Sequence, residues 1–487
     1  MYGNALLAVS TVFVGFASYA WYKFTSPIAP GLPTAGSGSL ISRLKAPEEF
    51  GKDPVEFLCK MRKKLGDVFY VDLILVKFVF CLGPEYNKLI LRAAEEDFSF
   101  WKQIELLSGP RIAKTITDYE WRSPSMKIAK SSLMSQERIN GFAVECTKIA
   151  DEHFSKWTKS ESVPLFQSIS HLVLSFMLTM LMGEDFYRKY GDEIVPKMDQ
   201  FERDLQNPIL RLLPWSLWGL SAPGRRHFQI ADRFKELTCA ELDDILKNPE
   251  LHVGRTDYFY GAVEKMGNGF REHYGTHIMS MVFAGHANVA LTVPWMYLHA
   301  RRHPGAWQRV HDEAVLDSSE PKPYLEACLR ETGRLYTNTF LLRMTQKPTN
   351  IGGFEIPAGT LVACSPLATQ RADSINSSDG IFKDSRRWLP ERFLPEGAYS
   401  EWFNKAEFIQ FGMGPHQCPG EKLAKTMVFE VVLRAWMENY DIDVVSGLEE
   451  GVKGIDGVGA EPAWTEENFG TPSVRGGDVM IKCRRRA

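Results

Sequence analysis

The chain has almost no surplus charge: 57 Lys and Arg stand against 60 Asp and Glu, a formal net charge of −3 over 487 residues. Such a balance offers a nucleic-acid backbone little to hold, so no nucleic-acid partner is expected. The eight cysteines, at 59, 81, 146, 239, 328, 364, 418 and 483, form no CxxC pair. That scatter excludes a disulfide framework and a zinc ribbon, and reads as reduced thiols facing the cytosol. Internal repeats and low-complexity tracts are also missing. Length alone suggests roughly three domains. No linker supports such a split, so residues 37–487 are expected to form one large domain, read as a monomer.

A basic flank is absent ahead of the first apolar run, Ala5 to Tyr22, which itself carries no charge. A cleaved signal peptide needs that flank, whereas Trp21, Tyr22 and Lys23 suit a membrane–water boundary. Residues 1–24 are therefore expected to be a retained single transmembrane anchor, slightly short of the ~20 residues of an ideal span. Pro27, Pro30 and Pro33 around Gly31 predict a stiff, extended spacer over 25–36.

Beyond the spacer, Val68–Leu73 and Val76–Cys81 read as paired strands of a small sheet. From Met126 to about Lys247 the period is mostly helical. An apolar interruption from Pro208 to Leu220 carries Trp215 and Trp218, followed by Arg225, Arg226 and His227. Two readings stand for it: a loop dipping into lipid headgroups, or a packed corner. Thr276 to Ala300 predicts one long helix, apolar on nearly all sides and about 37 Å long. Such a helix must be central, with Pro294 a candidate kink. The basic tail around Lys482 and Arg484 reads as a solvated end.

The run Phe411-Gly-Met-Gly414-Pro-His416-Gln-Cys418-Pro-Gly420 is the richest in chemistry. Glycines at 412, 414 and 420 permit sharp turns and a close approach to a flat macrocycle. A helical pattern follows from Glu421, and its N–H groups and dipole would favour a thiolate at Cys418. A lone thiolate in this setting is how a protein offers sulfur to a haem iron. Elsewhere, Glu331 and Arg334 lie on one helix face, and Arg392 sits in the aromatic segment Trp388–Phe393.

These segments resemble the cytochrome P450 superfamily: its FxxGxHxCxG signature, its Glu-x-x-Arg helix and its Pro-x-Arg-Phe segment, in that family's order. The resemblance implies a mainly α fold with a small β-rich lobe. It also implies haem b with Cys418 as axial ligand to the iron, and Phe411 packed beside the sulfur. Gly420 and Glu421 would donate N–H groups to the sulfur. A Glu331–Arg334–Arg392 network would lock the cysteine loop. Tyr119, Lys130, Arg343 and His416 match positions that clasp haem propionates in members similar to sterol 14-demethylases. The segment around Trp215 resembles the membrane-facing entry of the same group, which favours the headgroup reading.

The sequence departs from the family at the central helix, which reads Ala284-Gly-His286-Ala287-Asn288. Most members carry an acid and an alcohol at the last two positions, organising water for proton delivery. Ala287 offers nothing polar, and Asn288 hydrogen-bonds without releasing a proton. His286 has two readings, a proton relay or a core histidine bonded to a helix carbonyl. The Ala-Asn pair resembles the cholesterol 7α-hydroxylase group, and prostacyclin synthase carries Gly-Asn. The Tyr-rich loop of sterol demethylases is missing, Leu107-Ser-Gly-Pro-Arg standing there instead, so sterol 14-demethylation is not expected.

The resemblance thus implies a monooxygenase in the endoplasmic reticulum membrane, single-pass and facing the cytosol. NADPH would supply electrons through a flavin-containing cytochrome P450 reductase, docking where Lys422 and Lys425 flank the cysteine. The substrate would be sterol-, terpenoid- or lipid-like. The alternative is a haem-thiolate isomerase or dehydratase that needs no reductase, motivated by Ala287 and Asn288. A haem or lipid carrier without catalysis is a third reading.

Overall fold

A computed structural model of the chain describes residues 26–35, 40–72, 77–205, 210, 215–303, 305–317, 319–336, 340–371, 385, 387–401, 406–447, 465–466, 473–474 and 477–486. The expected anchor, residues 1–24, lies outside the described residues.

The architecture is mainly helical with a small β-rich part. Strands β1 (Val68–Asp72) and β2 (Lys77–Cys81) pair antiparallel, as their alternating apolar and aromatic residues predict. Three further strands complete that sheet: β3 (Phe98–Ser99), β4 (Leu341–Thr345) and β5 (Leu361–Cys364), in spatial order β1-β2-β5-β4-β3. The proline-bearing stretch was expected to stand clear as a spacer. Instead it lies along β1, the Ala35 N–H donating to the Tyr70 carbonyl and the Tyr70 N–H to the Pro33 carbonyl, each at 2.9 Å. Ala29, Leu32 and Ala35 are buried there, so this segment is part of the small lobe. Its apolar side chains gain more from burial than from extension into water.

Eight helices position the site. They are α1 (Phe100–Leu107), α2 (Pro110–Thr117), α3 (Tyr119–Leu133), α4 (Leu165–Met182), α5 (Glu184–Leu205), α6 (Ala222–Lys247), α7 (Arg271–Arg302) and α8 (Pro323–Tyr336). The central helix α7 is longer than its apolar core predicted, extending five residues before Thr276 into Arg271-Glu-His-Tyr-Gly. It packs against α4, α6 and α8. That surround explains its lack of a polar face. Pro294 is accommodated within it. Trp295 stacks on Tyr336 of α8, ring centroids 4.3 Å apart.

The apolar interruption forms a 3-10 turn, Trp215–Leu220. Trp218 is buried and donates to the Leu210 carbonyl at 2.9 Å, while Leu217 and Leu220 are exposed. Trp218 therefore packs inward as a corner residue, while the two leucines stay on the surface.

The basic tail is not a solvated end. Met480–Arg485 is a strand, paired with Tyr440–Ser446 on one side and Val163–Pro164 on the other. Ile481 and Cys483 are buried, while Lys482 and Arg484 face out. This is the alternation of a half-buried strand, and the charge run masks it in the sequence.

Candidate functional site

Cys418 sits in a loop fixed by its own backbone. Its N–H donates to the Phe411 carbonyl at 2.8 Å, and the Gly412 N–H to Ile409 at 3.0 Å. Gly412 and Gly414 both adopt φ 72°, a left-handed conformation that glycine takes without strain. A Cβ on Gly414 would come within 2.3 Å of the Leu91 carbonyl oxygen. The loop ends at Gly420, where the helix Glu421–Thr426 begins, running on through a π-turn, Met427–Leu433, into Arg434–Asn439.

The Cys418 side chain is exposed, yet protein surrounds it on the loop side. That burial pushes its thiol pKa up, the Gly420 N–H pulls it down, and the Glu421 carboxylate adds to the rise. The expected amide donor at 420 is thus in place, while residue 421 acts through its charge in the opposite sense. Gly420 has φ −88°, and a Cβ there would lie 3.9 Å from Cys418 Sγ and 3.8 Å from Met134 Cε. The protein itself leaves room for that methyl.

Behind the loop lies a fully buried charge network. The Arg334 guanidinium donates to both Glu331 oxygens at 2.8 and 2.9 Å, and Arg392 Nε approaches Glu331 Oε1 at 3.2 Å. Arg334 also donates to the carbonyls of Gln370, Ser385 and Arg387. The Leu389 N–H adds a 2.8 Å bond to Glu331. Every charge is paired and hydrogen-bonded, the condition under which buried ions are tolerated. Gln370, absent from the sequence reading, carries the network onward: its Oε1 accepts from the Ile409 N–H at 3.0 Å, two residues before Phe411.

A second group gathers beside His416. Its Nε2 lies 2.7 Å from Glu95, and its ring stacks on Phe100 at 4.5 Å. Burial lowers the His416 pKa. Burial would raise the Glu95 carboxyl, but hydrogen bonds from Ser99, Trp101, Phe100 and His416 hold it below its ordinary value. Arg343 lies over Phe100, 5.1 Å from the ring centroid, and donates to the Leu342 carbonyl at 2.8 Å. It is 5% exposed, and burial depresses its pKa. Among the described residues no carboxylate lies within ion-pair distance of Arg343. Arg122 lies over Trp101 at 4.4 Å and over Tyr119 at 5.5 Å.

The structure thus brings His416 and Arg343 together through Phe100, and attaches Tyr119 through Arg122 and Trp101. Tyr119 itself is 69% exposed. Lys130 is exposed on α3, and no hydrogen bond or ion pair among the described residues joins it to this group. Arg122 went unnoticed in the sequence, where its one signal is a cation three residues after Tyr119 on the same helix face.

On α7, Ala284 and Asn288 are exposed one turn apart, with Phe283 beside them and Ala287 half-buried. This is the open side of an otherwise surrounded helix. His286 is turned the other way, about 200° round the helix from Ala284. It is buried, with Nδ1 2.6 Å from Glu202 and Nε2 3.0 Å from Ser170. It therefore neither faces the open side as a relay nor bonds a helix carbonyl. Lys425, expected as a docking charge, is engaged by Glu326 at 2.9 Å and Glu421 at 3.0 Å. Lys422 remains exposed.

A thiol in a braced loop, a buried guanidinium with no carboxylate within ion-pair distance among the described residues, and an open helix face are the parts that a haem-thiolate site needs. Arg343 gives the test of fit: a buried cation without a counter-charge is costly, and a propionate carboxylate removes that cost. The cytochrome P450 family model matches residues 30–453, and the chain belongs to that family. It is a cytochrome P450 enzyme. "Cytochrome P450 monooxygenase pyvB" of Aspergillus violaceofuscus is 26% identical, covering 90% of this chain and 88% of that one. A sterol 14-demethylase of Arabidopsis thaliana is 24% identical over 99% of this chain and 96% of its own. The solved structure of retinoic acid-bound cyanobacterial CYP120A1 superposes with a TM-score of 0.68 at 19% identity, covering 94% of this chain and all of that one. That likeness establishes the fold.

Proposed function

We propose that this enzyme is a membrane-anchored monooxygenase that inserts one dioxygen atom into a hydrophobic, lipid-like substrate. Electrons would come from NADPH through a flavin-containing reductase. The observation that carries the reading is Cys418, held by the Phe411 carbonyl and the Gly420 N–H with its sulfur exposed. Haem bound there supplies dioxygen activation, with thiolate donation favouring O–O cleavage. The chain's own residues bind and orient. Arg343 and His416 would hold the propionates, with Arg122 and Tyr119 at the edge of that group. Phe411 and Gly420 shape the sulfur's surroundings. Phe283 and Ala284 give the opposite wall an apolar surface, and Asn288 is its polar point. The relatives named monooxygenases and sterol demethylases support this chemistry and a nonpolar substrate.

With Lys425 occupied by Glu326 and Glu421, reductase docking would rest more on exposed Lys422 and its surroundings. The apolar run Ala5–Tyr22 and exposed Leu217 and Leu220 support attachment to the endoplasmic reticulum membrane.

The test is turnover of purified full-length protein with and without reductase under isotopically labelled dioxygen, across a lipid panel. Labelled product that requires both NADPH and reductase is expected. Unlabelled product formed without electrons would establish the second reading, a rearranging isomerase or dehydratase. That reading is favoured by the Asn288 amide standing on the open face with an alanine before it.

A further inference from the structure

Away from the Cys418 loop, α4, α5 and α7 meet on a chain of polar side chains inside the apolar core. Arg203 donates to Asp199 Oδ2 at 2.5 Å, with His171 Nε2 3.4 Å from the same oxygen. Ser170 Oγ donates to Asp199 Oδ1 at 3.0 Å. His286 Nε2 lies 3.0 Å from that Ser170 oxygen, and His286 Nδ1 lies 2.6 Å from Glu202 Oε1. Ser170, Asp199, Glu202 and His286 are all buried.

The order of these bonds fixes the protons. Burial would raise the Asp199 carboxyl, but His171, Arg203 and Ser170 hold it down at about 2, so it is an anion at any working pH. Ser170 therefore spends its one proton on Asp199. The Ser170 oxygen must then accept, and the His286 Nε2 must carry a hydrogen. What remains is the 2.6 Å contact between His286 Nδ1 and Glu202 Oε1. It needs a proton of its own, because two acceptors at that distance repel.

We propose that Glu202 and His286 share a single proton that bolts α5 to α7 in the rotation turning Ala284 and Asn288 outward. His286 is then a positioning residue for the open helix face. This gives the histidine a role that a pocket relay does not, since its ring points away from that face. The catalytic consequence rests on the monooxygenase reading; the bolt itself does not.

The bolt has a direction in pH. Removing the shared proton leaves Nδ1 and Oε1 facing each other as acceptors, so the contact fails on the alkaline side. Burial raises the Glu202 carboxyl against the pull of His286, which helps retain the proton. Adding a second proton leaves an Nδ1–H facing a carboxylic acid, whose carbonyl oxygen still accepts. The Asp199 carboxylate keeps its charge across this range. His171 and Asp478, which caps α4 through the Phe166 and Gln167 N–H groups, are the other titratable groups near this cluster.

Glu202→Gln is the discriminating variant. Its amide N–H donates permanently to neutral His286 Nδ1, preserving the contact while removing the titration. The experiment is hydrogen exchange of α5 amides in the full-length holoprotein, from neutral to alkaline pH, with electron-to-product coupling measured alongside. In wild type, exchange around Glu202 should accelerate roughly tenfold on the alkaline limb, beyond the ordinary chemical rate. In Glu202→Gln that limb should be flat, and in Glu202→Ala exchange should be fast already at neutral pH. Coupling should fall in Glu202→Ala and be retained in Glu202→Gln. An alkaline limb that persists in Glu202→Gln, or its equality with Glu202→Ala at neutral pH, overturns the proposal. If Glu202→Ala does not fold, wild type and Glu202→Gln decide through the limb alone. The exchange pattern without NADPH-dependent product in any variant upholds the bolt and defeats the monooxygenase reading.

Discussion

Gln370 and Arg334 hold each other twice. The Gln370 amide donates to the Arg334 carbonyl oxygen at 3.1 Å, while the Arg334 guanidinium donates to the Gln370 carbonyl oxygen at 3.0 Å. Because Gln370 also accepts from Ile409, this pair joins the buried ion network to the cysteine loop. Gln370→Leu leaves the Ile409 N–H without its partner, at a cost of about 1–3 kcal/mol. Denaturant unfolding should register that loss, and Cys418 in the haem-free protein should react faster with a thiol reagent than in wild type.

Breaking the ion network itself should cost more. Glu331→Gln leaves Arg334 and Arg392 without a counter-charge where Glu331 and Arg334 are wholly buried. Loss of one partner from such a network costs about 3–5 kcal/mol. The expected outcome is a sharp fall in soluble yield and in the midpoint of thermal unfolding.

Two glycines should respond differently to alanine. At Gly333 a Cβ would lie 1.8 Å from Gln410 Nε2, so Gly333→Ala should destabilise the haem-free chain by about 1–3 kcal/mol. At Gly420 the nearest protein atoms to a Cβ are 3.8 Å away or more. Gly420→Ala should leave haem-free stability unchanged and weaken haem retention. Denaturation of the stripped protein, followed by haem titration of both variants, separates the two effects.

Acid sensitivity should come from buried neutral histidines. Burial pushes His153 and His227 down to about 4 and His277 to about 3. A base whose folded pKa is lowered stabilises the fold above its unfolded value near 6.5 and loses that contribution as pH falls through the folded value. Stability should thus decline progressively from about pH 6.5 downward. His227 is wholly buried among Phe201, Trp218 and Phe228, and neither of its ring nitrogens has a partner among the described residues. His227→Phe should be neutral or stabilising at neutral pH and should flatten the acid slope by one proton in thermal melts.

Asn288→Thr restores the alcohol that most family members carry there. Haem content should be unchanged, and the fraction of electrons reaching product should shift. Unchanged coupling would mean that proton delivery bypasses this helix position.

The cysteine loop and the buried network were legible because their chemistry is local. Glycines at 412 and 414 announce left-handed turns, and three residues on a helix bring Glu331 and Arg334 together. Gln370, Glu95 and Arg122 were not legible. The bridges from Gln370 to Ile409 and from Glu95 to His416 span long stretches of chain, and an arginine three residues from a tyrosine is too common a spacing to stand out. His286 shows the opposite failure: a residue beside the expected catalytic positions invites a catalytic role, yet the helical period turns it away from them. The terminal strand was hidden by composition, since the basic residues flanking Ile481 and Cys483 drew more notice than their alternation.

Gly414 rests against the Leu91 carbonyl, at the end of the helix Pro84–Leu91 that joins β2 to β3 of the small sheet. The sulfur's loop is therefore clasped between the β-rich lobe and the helical body. Prising the two apart must unseat the prosthetic group, so partial unfolding of the lesser lobe and loss of colour should occur as a single event.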